Sequence, residues 1–354
     1  MTVNVCNLKK GQRDYSISFV RFIAMCFIVI CHIMQRDNIA TQVAGVRIEW
    51  AYWFNIGVQM FLFISGYLYG RKENIKPFLF YINSIMKIMV DYYIFILIMI
   101  VVMWCSSIVE ITTGDILKML MALGTVSGLE HLWFIPTILF CYLLTPFLIK
   151  ILNIIDNGNS FFYWVKSILF CILFYIFLDM VVGIFTPEWV ICYVLGLLYS
   201  RIEKRTYINR QIFTSIVVCF CLIIIPIQIK IDYFKVGGLP QGSYSTYYLN
   251  FVNFGHVFLG ILMVLILRNV YKNIKVLNKI KNILNWSDKY SYDVYLTHHV
   301  FVQSAFACVE YISNRKIAIP LAIILTLLSA MVLYNISNYA RNLLESKVHF
   351  LQRL

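Results

Sequence analysis

The sequence has few charged residues: Asp, Glu, Lys and Arg make up only 13% of its 354 residues. A typical soluble domain has about 25%. Together with a mean hydropathy of +0.77, this composition excludes an ordinary soluble globule. Long unbroken apolar runs such as residues 92–104 favour membrane helices over the alternating ten-residue segments of a β-barrel.

Motifs of several other protein classes are missing as well. The chain has 10 cysteines, mostly within apolar runs, without a Cys-x-x-Cys pair or a Cys/His spacing suited to zinc. We therefore predict neither a disulfide framework nor a metal site. The net charge of +13 has no accompanying Arg/Gly-rich or RNA-binding signature, so no nucleic-acid partner is predicted.

The apolar runs predict an all-α membrane protein with about ten spans in one bundle. The predicted spans are 15–34, 51–70, 81–104, 131–149, 161–183, 187–200, 212–229, 249–268, 290–312 and 317–339. The fifth and sixth are predicted to form a tight helical hairpin. We interpret residues 1–354 as a single domain without an appended soluble domain, and the first span as uncleaved, since it lacks a small-residue cleavage pattern.

Basic residues predict the orientation of these spans. With both termini in the cytoplasm, most loop Lys and Arg lie on the cytoplasmic side, including Arg71, Lys72 and Lys204, and fewer on the other, including Arg36 and Arg315. This distribution follows the positive-inside rule. The excess of positive charge is thereby attributed to membrane topology.

Two polar residues in the first span, Arg21 and His32, indicate a functional helix face. Eleven residues at 100° each leave them about 20° apart, separated by roughly 16 Å along the axis. Charged groups within a span are costly and usually face a bundle interior. The arginine could hold an anionic group such as a phosphate, and the imidazole could accept a proton from a hydroxyl. Inward snorkelling of Arg21 and an interfacial position of His32 are the alternative.

Four stretches in order along the chain resemble the acyltransferase-3 family of integral membrane acyltransferases. The first is "RFIAMCFIVICH", with its Arg-ten-residues-His spacing. The others resemble a Ser-Gly-Phe-Leu segment, a His-x-Trp segment with downstream Tyr and Pro, and a Ser-Tyr-x-x-Tyr-Leu-x-His segment. The matching residues are Ser65, Gly66, Tyr67, Leu68, His131, Trp133, Tyr142, Pro146, Ser291, Tyr292, Tyr295, Leu296 and His298.

The sequence also departs from the family pattern. Many members have two arginines and a proline at the approach to the third span, where this chain has Ser84, Lys87 and Val90. Some carry a Glu-Glu-Gln run after the tryptophan, where residues 138–140 are Ile-Leu-Phe. A sensor or binding protein of the same fold without catalysis therefore stays an alternative.

The resemblance implies an enzyme that moves an acyl group, usually acetyl, from cytoplasmic acyl-CoA to a hydroxyl of an extracytoplasmic or lipid-linked glycan. It implies a bacterial plasma membrane and no permanently bound cofactor. His32 and Arg21 are predicted as the catalytic pair, with His32 as general base or acyl carrier and Arg21 on the donor. Predicted donor- or substrate-binding residues are Arg71, Lys72, Lys87, Ser65, Gly66, His131, Trp133, Tyr295 and His298.

Some of these assignments have structural alternatives. Gly66 could serve helix packing, and Trp133 could belong to an interfacial aromatic belt. Asp91 or Asp179 could orient a histidine or pair with Arg21. A polytopic transporter or flippase is the competing function, although no internal repeat supports it.

Overall fold

The computed structural model describes residues 13–43, 46–123, 126–181, 186–234 and 243–351. The α-helices are α1 (Tyr15–Asp37), α2 (Trp50–Phe54), α3 (Gly57–Gly70), α4 (Pro77–Ser106), α5 (Thr113–Leu120), α6 (Phe134–Asp156), α7 (Ser160–Val181), α8 (Pro187–Lys204), α9 (Tyr207–Phe234), α10 (Ser243–Asn273), α11 (Lys281–Val302), α12 (Cys308–Tyr311) and α13 (Arg315–Leu351). Two 3-10 helices span Glu130–Trp133 and Lys275–Ile280. Strands β1 (Ala40–Val43) and β2 (Val46–Glu49) form an antiparallel hairpin in which Ala40 pairs with Glu49.

The prediction of an all-α membrane protein is confirmed at the level of fold class. Among the described residues, seven helices are long and apolar enough to cross a membrane: α1, α4, α6, α7, α9, α10 and α13. Helices also occur at the other three predicted positions, in α3, α8 and α11. The count of ten spans and the sides of the termini stay predictions. Residues 1–12, and residues 182–183 at the end of the fifth predicted span, lie outside the described part.

Three local features differ from the sequence prediction. The hairpin of β1 and β2 was not predicted. The predicted span 51–70 is broken between α2 and α3, at Asn55 and Ile56. The predicted span 290–312 ends as a helix at Val302, and a short α12 follows. Irregular backbone at membrane depth is tolerated where it is buried in protein or lines a cavity, and the break before α3 lines one, as shown below.

Helices α7 and α8 run antiparallel, as the hairpin prediction requires. Near the start of α7, the Tyr163 hydroxyl donates to the Leu198 carbonyl over 3.2 Å, toward the end of α8. Near the other end, the Tyr175 hydroxyl donates to Glu188 over 3.0 Å. Glu188, near the start of α8, is buried at 1% exposure.

The centre of the bundle is α3, a helix with apolar residues on all sides. It packs against α1, α6, α8 and α10. The contact with α8 depends on glycine, because a Cβ on Gly66 would lie 2.0 Å from the Tyr193 carbonyl oxygen. A Cβ on Gly196 of α8 would likewise lie 2.1 Å from the Phe63 oxygen. Small residues allow such close approach of helix backbones in membranes.

We expect Gly66→Ala to destabilise the fold, because its methyl group meets backbone that cannot rotate away. Overpacking of this kind typically costs about 1–3 kcal/mol. The matched control is Gly114→Ala, whose Cβ has its nearest neighbour at an ordinary 3.6 Å. Thermal unfolding in detergent should show a lower Tm for Gly66→Ala alone. Equal Tm values for the two variants would contradict the packing described for α3 and α8.

The tyrosine that replaces phenylalanine in the Ser-Gly-Phe-Leu segment has a structural role. The Tyr67 hydroxyl donates to the Glu203 carboxylate and accepts a hydrogen bond from Arg268 Nη2 at 3.0 Å. Arg268 also contacts Glu203 at 3.1 Å and Asp14 at 3.7 Å. Since Asp14 caps the N-terminus of α1, this network joins α1, α3, α8 and α10. It fixes the helix that carries Arg21 and His32.

Candidate active site at two adjoining cavities

One face of α1 lines two cavities in turn. Met25 and Ile28 lie between Arg21 and His32 at offsets of four and seven residues, so all four share a stripe of the helix. Arg21, Met25 and Ile28 line a cavity of about 780 Å³, here called the Arg21 cavity. Ile28 and His32 line a second cavity of about 320 Å³, here called the His32 pocket. The predicted functional face is therefore an internal surface of the bundle.

The Arg21 cavity has an excess of positive charge. Its lining contains six cationic residues against three aspartates. The cationic residues are Arg21, Lys72, Lys76, Lys87, Lys289 and Arg341, and the acidic ones are Asp91, Asp288 and Asp293. Ser65 and Tyr295 also line it. Such a cavity favours an anionic ligand that also has apolar parts, because aromatic and aliphatic residues complete the wall.

Two aspartates anchor the cations of this cavity. Asp288 lies 3.7 Å from Arg21 Nη1, forms an ion pair with Arg13 and accepts a hydrogen bond of 2.5 Å from the Ser18 hydroxyl. Asp91 pairs with Arg341 of α13 and not with Arg21. Arg341 thus places an arginine beside α4. Helix α4 itself lacks the two arginines that many members of the acyltransferase-3 family have there.

The His32 pocket is polar and lies at the opposite end of α1. It is lined by His32, Gln35, Asn55, Glu130, His131, Trp133, Trp189, His299 and Gln303, among others. Asn55 and Gly57 come from the break between α2 and α3. The irregular backbone that sequence reasoning missed therefore supplies part of this wall.

Two glutamines determine the tautomer of His32. Its Nδ1 lies 3.0 Å from Gln35 Oε1 and contacts Gln303 Oε1 as well. Because both partners are amide oxygens, Nδ1 is the N–H donor and Nε2 keeps its lone pair. The Gln303 carbonyl accepts from Arg36 at 3.4 Å, and Arg36 forms an ion pair with Glu310. These contacts hold Gln303, and with it the imidazole, in place.

Four histidines cluster around this point. The ring centroid of His32 is 5.2 Å from that of His298 and 5.1 Å from that of His299. His131 stacks on His299 at 4.6 Å, and its Nε2 donates to the Leu296 carbonyl over 3.1 Å. His299 is buried at 2% exposure. The four rings are close, yet no group of three or more His, Cys, Asp or Glu in the described ranges has metal-binding geometry.

A pair of tryptophans forms another wall of the His32 pocket. Trp133 and Trp189 stack with centroids 3.8 Å apart and planes at 28°. The Trp189 Nε1 atom is buried and has no hydrogen-bond partner among the described residues. An aromatic surface beside an unpaired donor suits a ligand with an apolar face and hydroxyl groups.

The structure brings most of the predicted residues to these cavities. Lys72, Lys87, Ser65 and Tyr295 line the Arg21 cavity, and His131, Trp133 and again Tyr295 line the His32 pocket.

Three predicted residues lie elsewhere. Arg71 is exposed, with its guanidinium 5.7 Å from the Tyr67 ring centroid. Gly66 faces α8, and His298 is buried behind His32, with its Nδ1 donating to the Tyr295 carbonyl over 2.7 Å. Their functional roles stay predictions.

The fold and the cavities define a class: an integral membrane protein of apolar helices with an internal, two-ended site. A comparison with models of known protein families identifies the family. Residues 14–335 match the acyltransferase-3 model, described as an acyltransferase domain, so the chain belongs to this family of membrane acyltransferases. No curated protein and no solved structure matches the chain.

Proposed function

We propose that this enzyme transfers an acyl group, typically acetyl, from cytoplasmic acyl-CoA to a hydroxyl of a glycan on the opposite side of the membrane. The glycan is a surface polysaccharide or a lipid-linked sugar of a bacterial cell, and the membrane is the plasma membrane. One observation carries this proposal: a single face of α1 places Arg21 in a cationic cavity and His32 in an adjoining polar pocket. Family membership supports acyl transfer in general, and the two cavities support the choice of donor and acceptor.

The donor occupies the Arg21 cavity in this proposal. Its phosphates and pantetheine end are held by the cations that line the cavity: Arg21, Lys72, Lys76, Lys87, Lys289 and Arg341. Asp293 offers a buried Oδ1 without a hydrogen-bond partner among the described residues. An amide N–H of the pantetheine arm is a suitable donor to that oxygen. With its phosphates among these cations and its pantetheine arm beside Asp293, the donor directs its thioester along α1 toward His32.

His32 acts as the general base. Its Nε2 takes the proton of the acceptor hydroxyl as the hydroxyl oxygen attacks the thioester carbon. The C–S bond then breaks, and the proton on His32 passes to the leaving CoA thiolate. The products are the new ester and the free CoA thiol. Gln35 and Gln303 hold the tautomer that this step requires. Trp189 Nε1–H is available to the acceptor or to the oxyanion of the tetrahedral intermediate.

The His32 pocket favours a sugar as acceptor. The Trp133–Trp189 pair offers an aromatic face to the C–H surface of a sugar ring. Asn55, Glu130 and Gln303 provide amide and carboxylate groups for its hydroxyls.

Membranes containing the protein, incubated with radiolabelled acetyl-CoA and surface glycan extracted from the same host, test this function. We expect base-labile label in the glycan fraction together with an equal amount of free CoA thiol. Membranes without the protein are the control. Thiol release without glycan label would point to a different acceptor. If neither labelled glycan nor free thiol forms with any of several acyl-CoA donors, the result would favour the transporter or the non-catalytic sensor.

A further inference from the structure

We propose that Ile28, Val58 and Tyr295 form a constriction through which only the acyl end of the donor passes, and that these residues select the size of the acyl group. This inference rests on the proposed function and deepens it. The observation behind it is that these three side chains, and no others, belong to the walls of both cavities among the described residues.

The constriction lies close to the proposed base. Ile28 precedes His32 by four residues, so it lies one turn, about 6 Å, toward Arg21 on the same face of α1. Tyr295 likewise precedes His299 by four residues on α11. A thioester carbonyl held at this level is therefore within reach of a hydroxyl bound beside His32 Nε2. A longer acyl chain needs additional space at this level, which the side chains of Ile28 and Val58 occupy.

The side chains at the constriction are held in place by their neighbours. A Cβ on Gly57 would lie 2.6 Å from Ile28 Cγ1 and 2.5 Å from the Ala24 carbonyl oxygen, so α3 begins directly against α1. The Tyr295 hydroxyl donates to the His131 carbonyl, and its ring centroid is 5.3 Å from that of Phe134. All three constriction residues are buried, at 4%, 9% and 5% exposure for Ile28, Val58 and Tyr295. A rigid wall discriminates ligand size better than a flexible one.

The chemistry of the constriction matches an acyl group and excludes the rest of the donor. Ile28 and Val58 are aliphatic, and the polar end of Tyr295 is already occupied by a backbone carbonyl. Phosphates and the pantetheine amides would lose their hydrogen bonds there, at a cost that an apolar acyl group does not incur. CoA is thereby retained in the Arg21 cavity while the acyl carbon reaches the acceptor.

Acyl-chain profiles test this proposal. Wild type, Ile28→Ala and Val58→Ala are assayed with acetyl-, propionyl-, butyryl- and hexanoyl-CoA, with glycan ester and free thiol as readouts. A pocket discriminates one methylene by tenfold or more, so we expect the butyryl-to-acetyl ratio of kcat/KM to rise about tenfold in either variant. The milder Ile28→Val, which removes one methyl group, covers the case in which Ile28→Ala does not fold. Ile64→Ala is the matched control, because Ile64 is a buried isoleucine of α3 that lines neither cavity.

The outcomes separate this inference from the proposed function. A raised ratio in the Ile28 and Val58 variants, with the wild-type ratio in Ile64→Ala, supports the constriction. Active variants that all keep the wild-type ratio overturn it and leave the acyltransferase function standing. A wild-type protein that transfers no acyl group from any of the four donors overturns both.

Discussion

Replacing His32 with glutamine should lower kcat for acyl transfer by about 10²–10⁴-fold, the usual contribution of a general base. Glutamine keeps the polarity of the pocket and can still meet Gln35 and Gln303, but it has no lone pair suited to accept the hydroxyl proton. Since proton removal occurs only in the transition state, we expect KM for acyl-CoA to change little. Steady-state kinetics with reconstituted protein would measure both constants.

His256→Gln is the matched control for this substitution. His256 is also a buried histidine, but its Nε2 donates to the Tyr52 carbonyl over 3.0 Å and it lines neither cavity. Glutamine can retain that hydrogen bond, so activity should stay near wild type. If His256→Gln and His32→Gln lost activity equally, the loss would reflect disturbed packing and His32 would have no special role.

Arg21→Ala should produce the complementary kinetic pattern, with KM for acyl-CoA raised about 10- to 100-fold. A hydrogen bond to a charged group is worth about 1.5–3 kcal/mol, and tenfold in affinity corresponds to about 1.4 kcal/mol. The donor is held by this group in the ground state and in the transition state alike, so kcat should change much less than KM. Initial rates at varied acyl-CoA and saturating glycan separate the two effects.

Two comparisons sharpen this prediction. Arg210→Ala removes the same charge from α9, where Arg210 packs on Tyr207 and lines neither cavity. It should leave KM near wild type. Arg71→Ala should raise KM less than Arg21→Ala does, because the Arg71 side chain lies outside the cavity wall. An unchanged KM in Arg21→Ala would remove Arg21 from donor binding.

Local sequence patterns were sufficient for the features that one helix determines. The spacing of Arg21 and His32 predicted a shared functional face, and that face lines both cavities. Apolar runs predicted helices at the right places, because a membrane span must satisfy its own backbone hydrogen bonds. The break at Asn55 was missed, because Asn55 and Gly57 are weak signals within an apolar run and do not by themselves separate a continuous helix from one whose start is pressed against α1.

Contacts between distant segments could not be predicted from a single sequence. Gln303 and His32 are 271 residues apart, and Arg341 and Asp91 are 250 apart. Gln303 carries no catalytic signature of its own, and Arg341 has the appearance of a basic residue in a cytoplasmic tail. Nothing in the sequence around Trp189 indicates that its ring stacks on Trp133. Each gains its place at the site from the packing of α8, α11 and α13 around α1 and α3.

The central claim is that donor and acceptor meet at one site from opposite sides of the membrane. Sealed inside-out vesicles, with radiolabelled acetyl-CoA added outside and the host glycan either trapped in the lumen or added outside, test it most directly. We predict base-labile label in the trapped glycan, none in the external glycan, and loss of the label in His32→Gln. Label in the external glycan alone would place donor and acceptor on the same side and would contradict transfer along α1 from the Arg21 cavity to the His32 pocket.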